Sequence, residues 1–317
     1  MKLLFGCGYL GSRVARSWRD AGDAVTVVTR SPVKAETLRR EGYSAIVADV
    51  ADPATLGALP RAETVLFAVG YDRKSPTARS IEEVYAGGVK NVADAVQFGI
   101  RNKEFGAPTA STPELRTPNS PLIIYISSTG VYGDADGDWV DEATTPRPIR
   151  EGGRACLAAE RVLAEHPLAA RSIVLRPAGI YGPDRIPRAD ALRRGEPIDA
   201  PPDGWLNLIH VDDLTQVVLD VERLALAGRI ELPRSYCVSD GRPVERREYY
   251  GELARLLGAP PPRFVEPEAA CRAVLRAAAD KRISNARLLL EIAPKFTHPS
   301  FREGLAAIVS ATGAKDR

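Results

Sequence analysis

Lys2-Leu3-Leu4-Phe5-Gly6-Cys7-Gly8-Tyr9-Leu10-Gly11 opens the chain, and the reading of this stretch decides the fold. The apolar run Leu3–Phe5 reads as a buried strand and the glycines as a tight turn. Leu10 to Ala21 reads as an amphipathic helix with Leu10, Val14, Ala15 and Trp18 on one face. Such a turn needs Gly6 to bend sharply, Gly8 to admit a pyrophosphate against bare backbone, and Gly11 to bring helix and strand close. Tyr9 and Leu10 complete the loop, and the first N–H groups of the helix face the phosphates. Ala24–Val28 supplies a second strand, so this βαβ opening is expected to hold a dinucleotide.

Working outward, the alternation continues. A helix is expected near Val33–Glu41, a third strand at Ser44–Ala48, a fourth at Thr64–Val69 and a long helix at Ser80–Phe98. Leu122–Ile126 is a nearly all-apolar fifth strand, followed by a helix at Arg154–Glu165 and a sixth strand at Ser172–Leu175. Strands and helices in this order predict an α/β fold with a doubly wound parallel Rossmann sheet. Prolines then crowd the chain from Pro177 to Pro202, which marks loop-built structure and a smaller C-terminal substrate lobe. Residues 1–180 are expected to form the NAD(P)-binding domain, with 207–240 returning a helix and a strand to it. Residues 181–206 and 241–317 are expected to form the lobe. Residues 101–121, rich in Pro, Ser and Thr, read as an inserted loop longer than such a connection requires.

Charge is nearly balanced, with 43 basic against 41 acidic residues, which gives no electrostatic ground for nucleic acid or an anionic membrane as partner. No apolar run is long enough to span a bilayer, and a strand at the second residue leaves no space for a cleavable signal peptide. The four cysteines (Cys7, Cys156, Cys237, Cys271) and three histidines (His166, His210, His298) show no metal-ligand spacing. A reduced, cytoplasmic protein without a metal site is the expectation.

The end of the second strand sets the choice of dinucleotide. A carboxylate there binds the ribose hydroxyls of NAD and repels a 2′-phosphate. This strand ends Thr29-Arg30-Ser31, offering a guanidinium and a hydroxyl instead, so NADP is favoured over NAD. Asp49, at the end of the third strand, is placed to accept from an adenine amino group or to serve as a turn residue before Asp52-Pro53. Ala68, Val69 and Gly70 after the fourth strand, and Pro177, Gly179 and Ile180 after the sixth, complete the expected cofactor face.

Three later segments carry a family resemblance. Ser127-Ser128-Thr129-Gly130-Val131-Tyr132-Gly133, Leu175-Arg176-Pro177-Ala178-Gly179-Ile180-Tyr181-Gly182-Pro183 and Asn207-Leu208-Ile209-His210-Val211-Asp212-Asp213 resemble the extended short-chain dehydrogenase/reductase superfamily of nucleotide-sugar epimerases and dehydratases. The resemblance implies that Ser128, five residues before Gly133, is catalytic. It also implies a Tyr-x-x-x-Lys motif on the helix after the fifth strand, with a Glu four residues further on. Anchored on Glu160, that motif falls on Gly152 and Cys156. The chain therefore resembles an atypical branch that lacks the usual proton shuttle.

Tyr132 is nearby in sequence and ionisable, a candidate replacement acid, although the family usually uses this tyrosine structurally; Tyr181 and Asp134 are weaker candidates. Two function classes follow. One is an NADP-dependent epimerase, dehydratase or oxidoreductase acting on a small polar substrate such as a nucleotide sugar. The other is a module that binds NADP(H) without turnover. The partners expected are a small molecule, no nucleic acid and no membrane, and a homodimer is allowed.

Overall fold

The computed structural model describes residues 1–57, 59–72, 79–104, 120–265 and 279–315. The inserted loop expected at 101–121 falls mainly outside the described residues, as does Cys271. The first half runs β1 (Lys2–Phe5), α1 (Gly11–Asp20), β2 (Val25–Thr29), α2 (Pro32–Arg40), β3 (Ser44–Val47), β4 (Thr64–Phe67), α3 (Gly88–Glu104) and β5 (Leu122–Ile126). It continues through β6 (Trp139–Val140), α4 (Glu151–Glu165), β7 (Ser172–Pro177), β8 (Gly179–Tyr181), α5 (Ala189–Arg193), β9 (Ile198–Asp199), β10 (Trp205–Leu206), β11 (Leu208–His210), α6 (Val211–Leu226) and β12 (Arg234–Val238).

Seven strands form one sheet in the order β12-β7-β5-β4-β1-β2-β3. From β1 the chain winds first toward β2 and β3, then returns to β4 on the other side. The registers are parallel, Lys2 pairing Val25 on one flank and Thr64 on the other. Helical crossovers of this kind produce the doubly wound Rossmann-like fold expected from the sequence. The order reverses beside β1, so the glycine loop at its C-terminal end lies where open α/β sheets bind their ligands.

Two compact units divide the chain. The first joins Met1–Ser127, Arg154–Leu175 and Val218–Ser235; the second joins Ser128–Gly153, Arg176–Val217 and Tyr236–Arg317. Compared with the expected division, the second unit also takes 128–153, 176–180, 207–217 and 236–240.

Continuous apolar strands are explained by burial on both faces: every residue of β1 and β4 is buried, whereas the edge strand β3 is half-exposed. Phe5 stacks on Phe67 at 6.4 Å and Phe67 meets Tyr125 edge-on at 5.9 Å in the first unit's core. Lys2 is buried in β1 but paired, with Glu63 at 2.8 Å and Glu222 at 2.9 Å, and Trp18 donates to the same Glu222 at 2.6 Å. Tyr181, Leu208, Tyr249, Leu253, Phe301 and Leu305 centre a separate core in the second unit.

Two helices depart from the sequence expectation. The long helix expected at Ser80–Phe98 begins with a π-helical turn, Glu83–Gly87, before α3. A Cβ on Gly88 would stand 2.9 Å from Val50 Cγ2, so glycine lets this helix lie close to its neighbours. The helix expected from Arg154 starts at Glu151, taking in both Gly152 and Gly153.

Candidate functional site

The glycine loop in the first unit has the shape that a diphosphate requires. Gly6 adopts φ +93°, a conformation other residues rarely take, and a Cβ there would collide with the Ala68 carbonyl. A Cβ on Gly11 would collide with the Gly6 carbonyl, which fixes the close approach of α1 to the loop. Gly8 differs, having nothing within 4 Å of the same position. Leu10, the residue before α1, offers no side-chain cap, so the first N–H groups of α1 are not satisfied by a capping side chain. Tyr9 packs under Arg13, whose guanidinium lies 4.4 Å from the ring and donates to the Tyr9 carbonyl at 2.7 Å. Such a loop, with room over Gly8, is of the kind suited to an anion.

A cavity of about 440 Å³ opens from that loop within the first unit. Of the residues read from the sequence as cofactor-binding, Gly6, Gly8, Arg30, Ser31, Asp49, Ala68, Val69 and Gly70 line it; Tyr9, Leu10 and Gly11 support the loop without lining it. Ser31 caps α2, accepting from the Lys34 N–H at 3.2 Å. Asp49 Oδ1 accepts from Ala51 N–H at 2.9 Å, so one oxygen is engaged in its own turn.

Sequence reasoning missed Lys34, Asp72 and Arg79 in this lining. Lys34 stands in the first turn of α2 and donates its ammonium to the Cys7 carbonyl. Arg79 reaches Asp49 at 3.9 Å, and Arg30 reaches Asp72 at 3.7 Å, all four side chains keeping substantial solvent exposure. Three cations and two acids thus border the cavity, and the exposed pairs are weak enough to exchange partners when a phosphate arrives. The signal for Lys34 was its position three residues after the capping Ser31. No local pattern marks Arg79.

The α4 face that should carry the family's Tyr-x-x-x-Lys presents Gly152, Cys156 and Glu160, successive residues four apart. Glu160 is buried and accepts from Ser127 Oγ at 2.5 Å. Burial pushes the Cys156 thiol up to about 11, against contacts with the Tyr125 hydroxyl and Ser127 that favour its thiolate. A neutral thiol packed in the core replaces the expected ammonium.

Ser128, Tyr132, Pro177, Gly179 and Ile180 belong to the second unit. Ser128 caps the short turn Thr129–Val131, its hydroxyl accepting from Gly130 N–H at 3.0 Å. Tyr132 is buried; its hydroxyl accepts from Arg176 at 2.7 Å and lies 3.3 Å from Cys237 Sγ. Burial raises the Tyr132 pKa far above that of an ordinary phenol. Thr129 Oγ1 donates to the Pro177 carbonyl at 3.3 Å, and Gly179 N–H donates to that of Asn207 at 2.9 Å.

Histidines dispersed in sequence do converge in the second unit. His210, Asp213 and His298 offer ligand atoms within 4.8 Å of one another. The chain itself uses much of that capacity, since Asp213 accepts from Thr297 and His298 N–H groups at 2.7 and 3.0 Å and His210 Nδ1 accepts from Asp212 N–H at 3.2 Å.

Residues 3–86 match the TrkA-N domain family. The chain is similar to protein YeeZ of Escherichia coli strain K12, 28% identical over 309 residues that cover 93% of this chain and 95% of that protein. A stretch of 96 residues is 38% identical to short-chain dehydrogenase/reductase family 42E member 1 of Homo sapiens, covering 28% of this chain and 24% of that one. Among solved structures, a candidate NAD-dependent epimerase/dehydratase from Methylobacillus flagellatus superposes with a TM-score of 0.71 at 26% identity, over 98% of both chains. MoeE5 in complex with UDP-glucose and NAD gives a TM-score of 0.71 at 22% identity over 100% of this chain and 99% of that one, a likeness of fold. With the glycine loop and the doubly wound sheet, these likenesses support a resemblance to an extended short-chain dehydrogenase/reductase-like family.

Proposed function

We propose that this protein is an NADP(H)-dependent enzyme of the epimerase, dehydratase or oxidoreductase kind, acting on a small polar substrate such as a nucleotide sugar. One observation carries the cofactor choice. The cavity beyond Gly8 is bordered where β2 ends by Arg30 and Ser31 rather than a carboxylate, with Lys34 and Arg79 beside them. In this reading Gly6 and Gly8 present bare backbone to the diphosphate, while Arg30, Ser31 and Lys34 take the 2′-phosphate. Asp49 remains for the adenine, and Ala68, Val69 and Gly70 flank the nicotinamide. The cofactor supplies hydride transfer when bound.

Ser128 orients the substrate oxygen through its hydroxyl. Tyr132 is better suited to bracing the turn than to moving a proton, because its buried hydroxyl is held by Arg176 and kept neutral. Nucleotide-sugar chemistry is supported by the structural likeness to MoeE5, whose complex contains UDP-glucose.

A second reading, a module that binds NADP(H) without turnover, is favoured by Gly152 and the neutral Cys156 on the α4 face. Incubating the protein with NADPH or NADP and a panel of nucleotide sugars and aldehydes separates the two. Cofactor fluorescence reports net redox and chromatography reports isomerised product, since an epimerase recycles its cofactor. Tight NADPH binding with neither change would leave only the second reading.

A further inference from the structure

A buried lysine lies outside the roles assigned so far. Lys281 is 6% exposed and donates its ammonium to the carbonyls of Gly133 at 3.1 Å and Ala279 at 3.4 Å. Among the described residues it makes no ion pair with a carboxylate. The acidic residues that face it, Asp134 and Asp280, have oxygens engaged by backbone. Asp134 Oδ1 accepts from Asp280 N–H at 2.9 Å and Asp136 N–H at 3.3 Å, and Asp280 Oδ1 accepts from Trp205 N–H at 2.7 Å.

Arg150 is a second cation in the same region. A Cβ built on Gly130 would stand 3.1 Å from Ser128 Oγ and 3.5 Å from Arg150 Nη2. Hydroxyl and guanidinium therefore close on the same side of that glycine. Ser128, Gly130 and Gly133 are parts of one short segment, the turn Thr129–Val131 and its two ends. Arg150 stands over its start and Lys281 holds its end. All these residues lie in the second unit. Burial, and then the charge of Arg150, lower Lys281 to about 8. An ammonium removed from water, without a carboxylate and near a guanidinium, is costly unless an anion completes the arrangement.

We infer that Arg150 and Lys281 form an anion-recognition site at the Ser128–Gly133 segment, taking a carboxylate or phosphate at the reacting end of the substrate while Ser128 holds the neighbouring oxygen. The inference rests on the reading of Ser128 as a substrate-facing group. It has a consequence that a merely structural clamp lacks. An anion beside Lys281 favours its charged form, so binding near pH 8 takes up a proton, whereas at pH 6 the ammonium already carries it.

The test uses the whole protein and calorimetry in buffers of different ionisation enthalpy, at pH 8 and pH 6. The probes are UDP-glucose and UDP-glucuronic acid, which differ at the sugar by one carboxylate. UDP-glucuronic acid is expected to bind about tenfold tighter or more. Its binding should take up about half a proton at pH 8 and close to none at pH 6. Arg150→Gln, which leaves the Lys281 backbone bonds in place, should erase the preference, and Lys281→Met should abolish the proton uptake. Equal affinities for the two probes, a preference that survives Arg150→Gln, or no uptake at pH 8 would overturn the proposal. Should neither nucleotide bind, the nucleotide-sugar reading falls and sulfate, fully ionised at both pH values, becomes the probe. Uptake with sulfate at pH 8 that Lys281→Met abolishes supports the anion site; its absence overturns the site independently.

Discussion

Ser127 donates its hydroxyl to Glu160 across 2.5 Å, joining the end of β5 to a buried position on α4. That bond fixes which face of α4 meets the sheet. One turn before Glu160 the same face buries Cys156, whose thiol sits against the Tyr125 hydroxyl. The face serves packing, with Gly152 and Cys156 where the resemblance implies Tyr and Lys.

The replaced position should be chemically quiet. With Cys156 at about 11 and burial likewise pushing Cys237 to about 12, both thiols are almost wholly protonated at pH 8. Alkylation by iodoacetamide, followed by peptide mass spectrometry, should label them at least about 100-fold more slowly in the folded protein than in urea. Rapid labelling of Cys156 in the native state would show that the thiol is exposed and reactive.

Gly8 separates binding from folding in a way that Gly6 does not. Its Cβ position is open, whereas one on Gly6 would meet the Ala68 carbonyl. Gly8→Ala is expected to melt within about 1 °C of wild type, since surface changes of this kind cost little. It should nevertheless weaken dinucleotide binding about tenfold or more, because the added methyl stands where a diphosphate approaches the backbone. Gly6→Ala should lower the melting temperature as well. An unaltered affinity in Gly8→Ala would place the dinucleotide elsewhere.

The order of strands was legible because β1, β2, β4 and β5 are buried apolar runs separated by amphipathic helices. The start of α4 was not. The helix was expected only from Arg154, yet Gly153 lies in it and packs so closely that a Cβ there would collide with the Gly130 carbonyl, a contact between segments that the local pattern does not link. Arg79 was missed for a similar reason, since its place in the cavity comes from its approach to Asp49, thirty residues earlier. The histidines are a further case of the same kind, dispersed in sequence while His210 and His298 stack at 3.7 Å between ring centroids. Local periodicity reports the element a residue belongs to; it does not report which ends of elements meet.

Asp240 makes the stability of the second unit pH-dependent. Its carboxyl is buried, Oδ1 accepts from Arg242 N–H at 2.9 Å, and Oδ2 has no hydrogen-bond partner among the described residues. Burial raises it from 3.8 to about 7. Between those values the unfolded chain gives up its proton while the folded chain retains it, so stability falls as pH rises through this window and levels off above about 7. Asp240→Asn removes the effect, and urea denaturation should show it about 2–4 kcal/mol more stable than wild type at pH 8, with the two converging near pH 4. A difference independent of pH would mean that Asp240 is ionised throughout.

The central claim is that the glycine loop and its cations hold NADP(H). The most direct measurement is the dissociation constant of NADPH and of NADH, by fluorescence titration at physiological ionic strength, for wild type and Arg30→Ala. Wild type should prefer NADPH by about tenfold or more, and Arg30→Ala should lose most of that preference while keeping its affinity for NADH. Equal affinities in the wild type, or an NADPH affinity unchanged in Arg30→Ala, would contradict it.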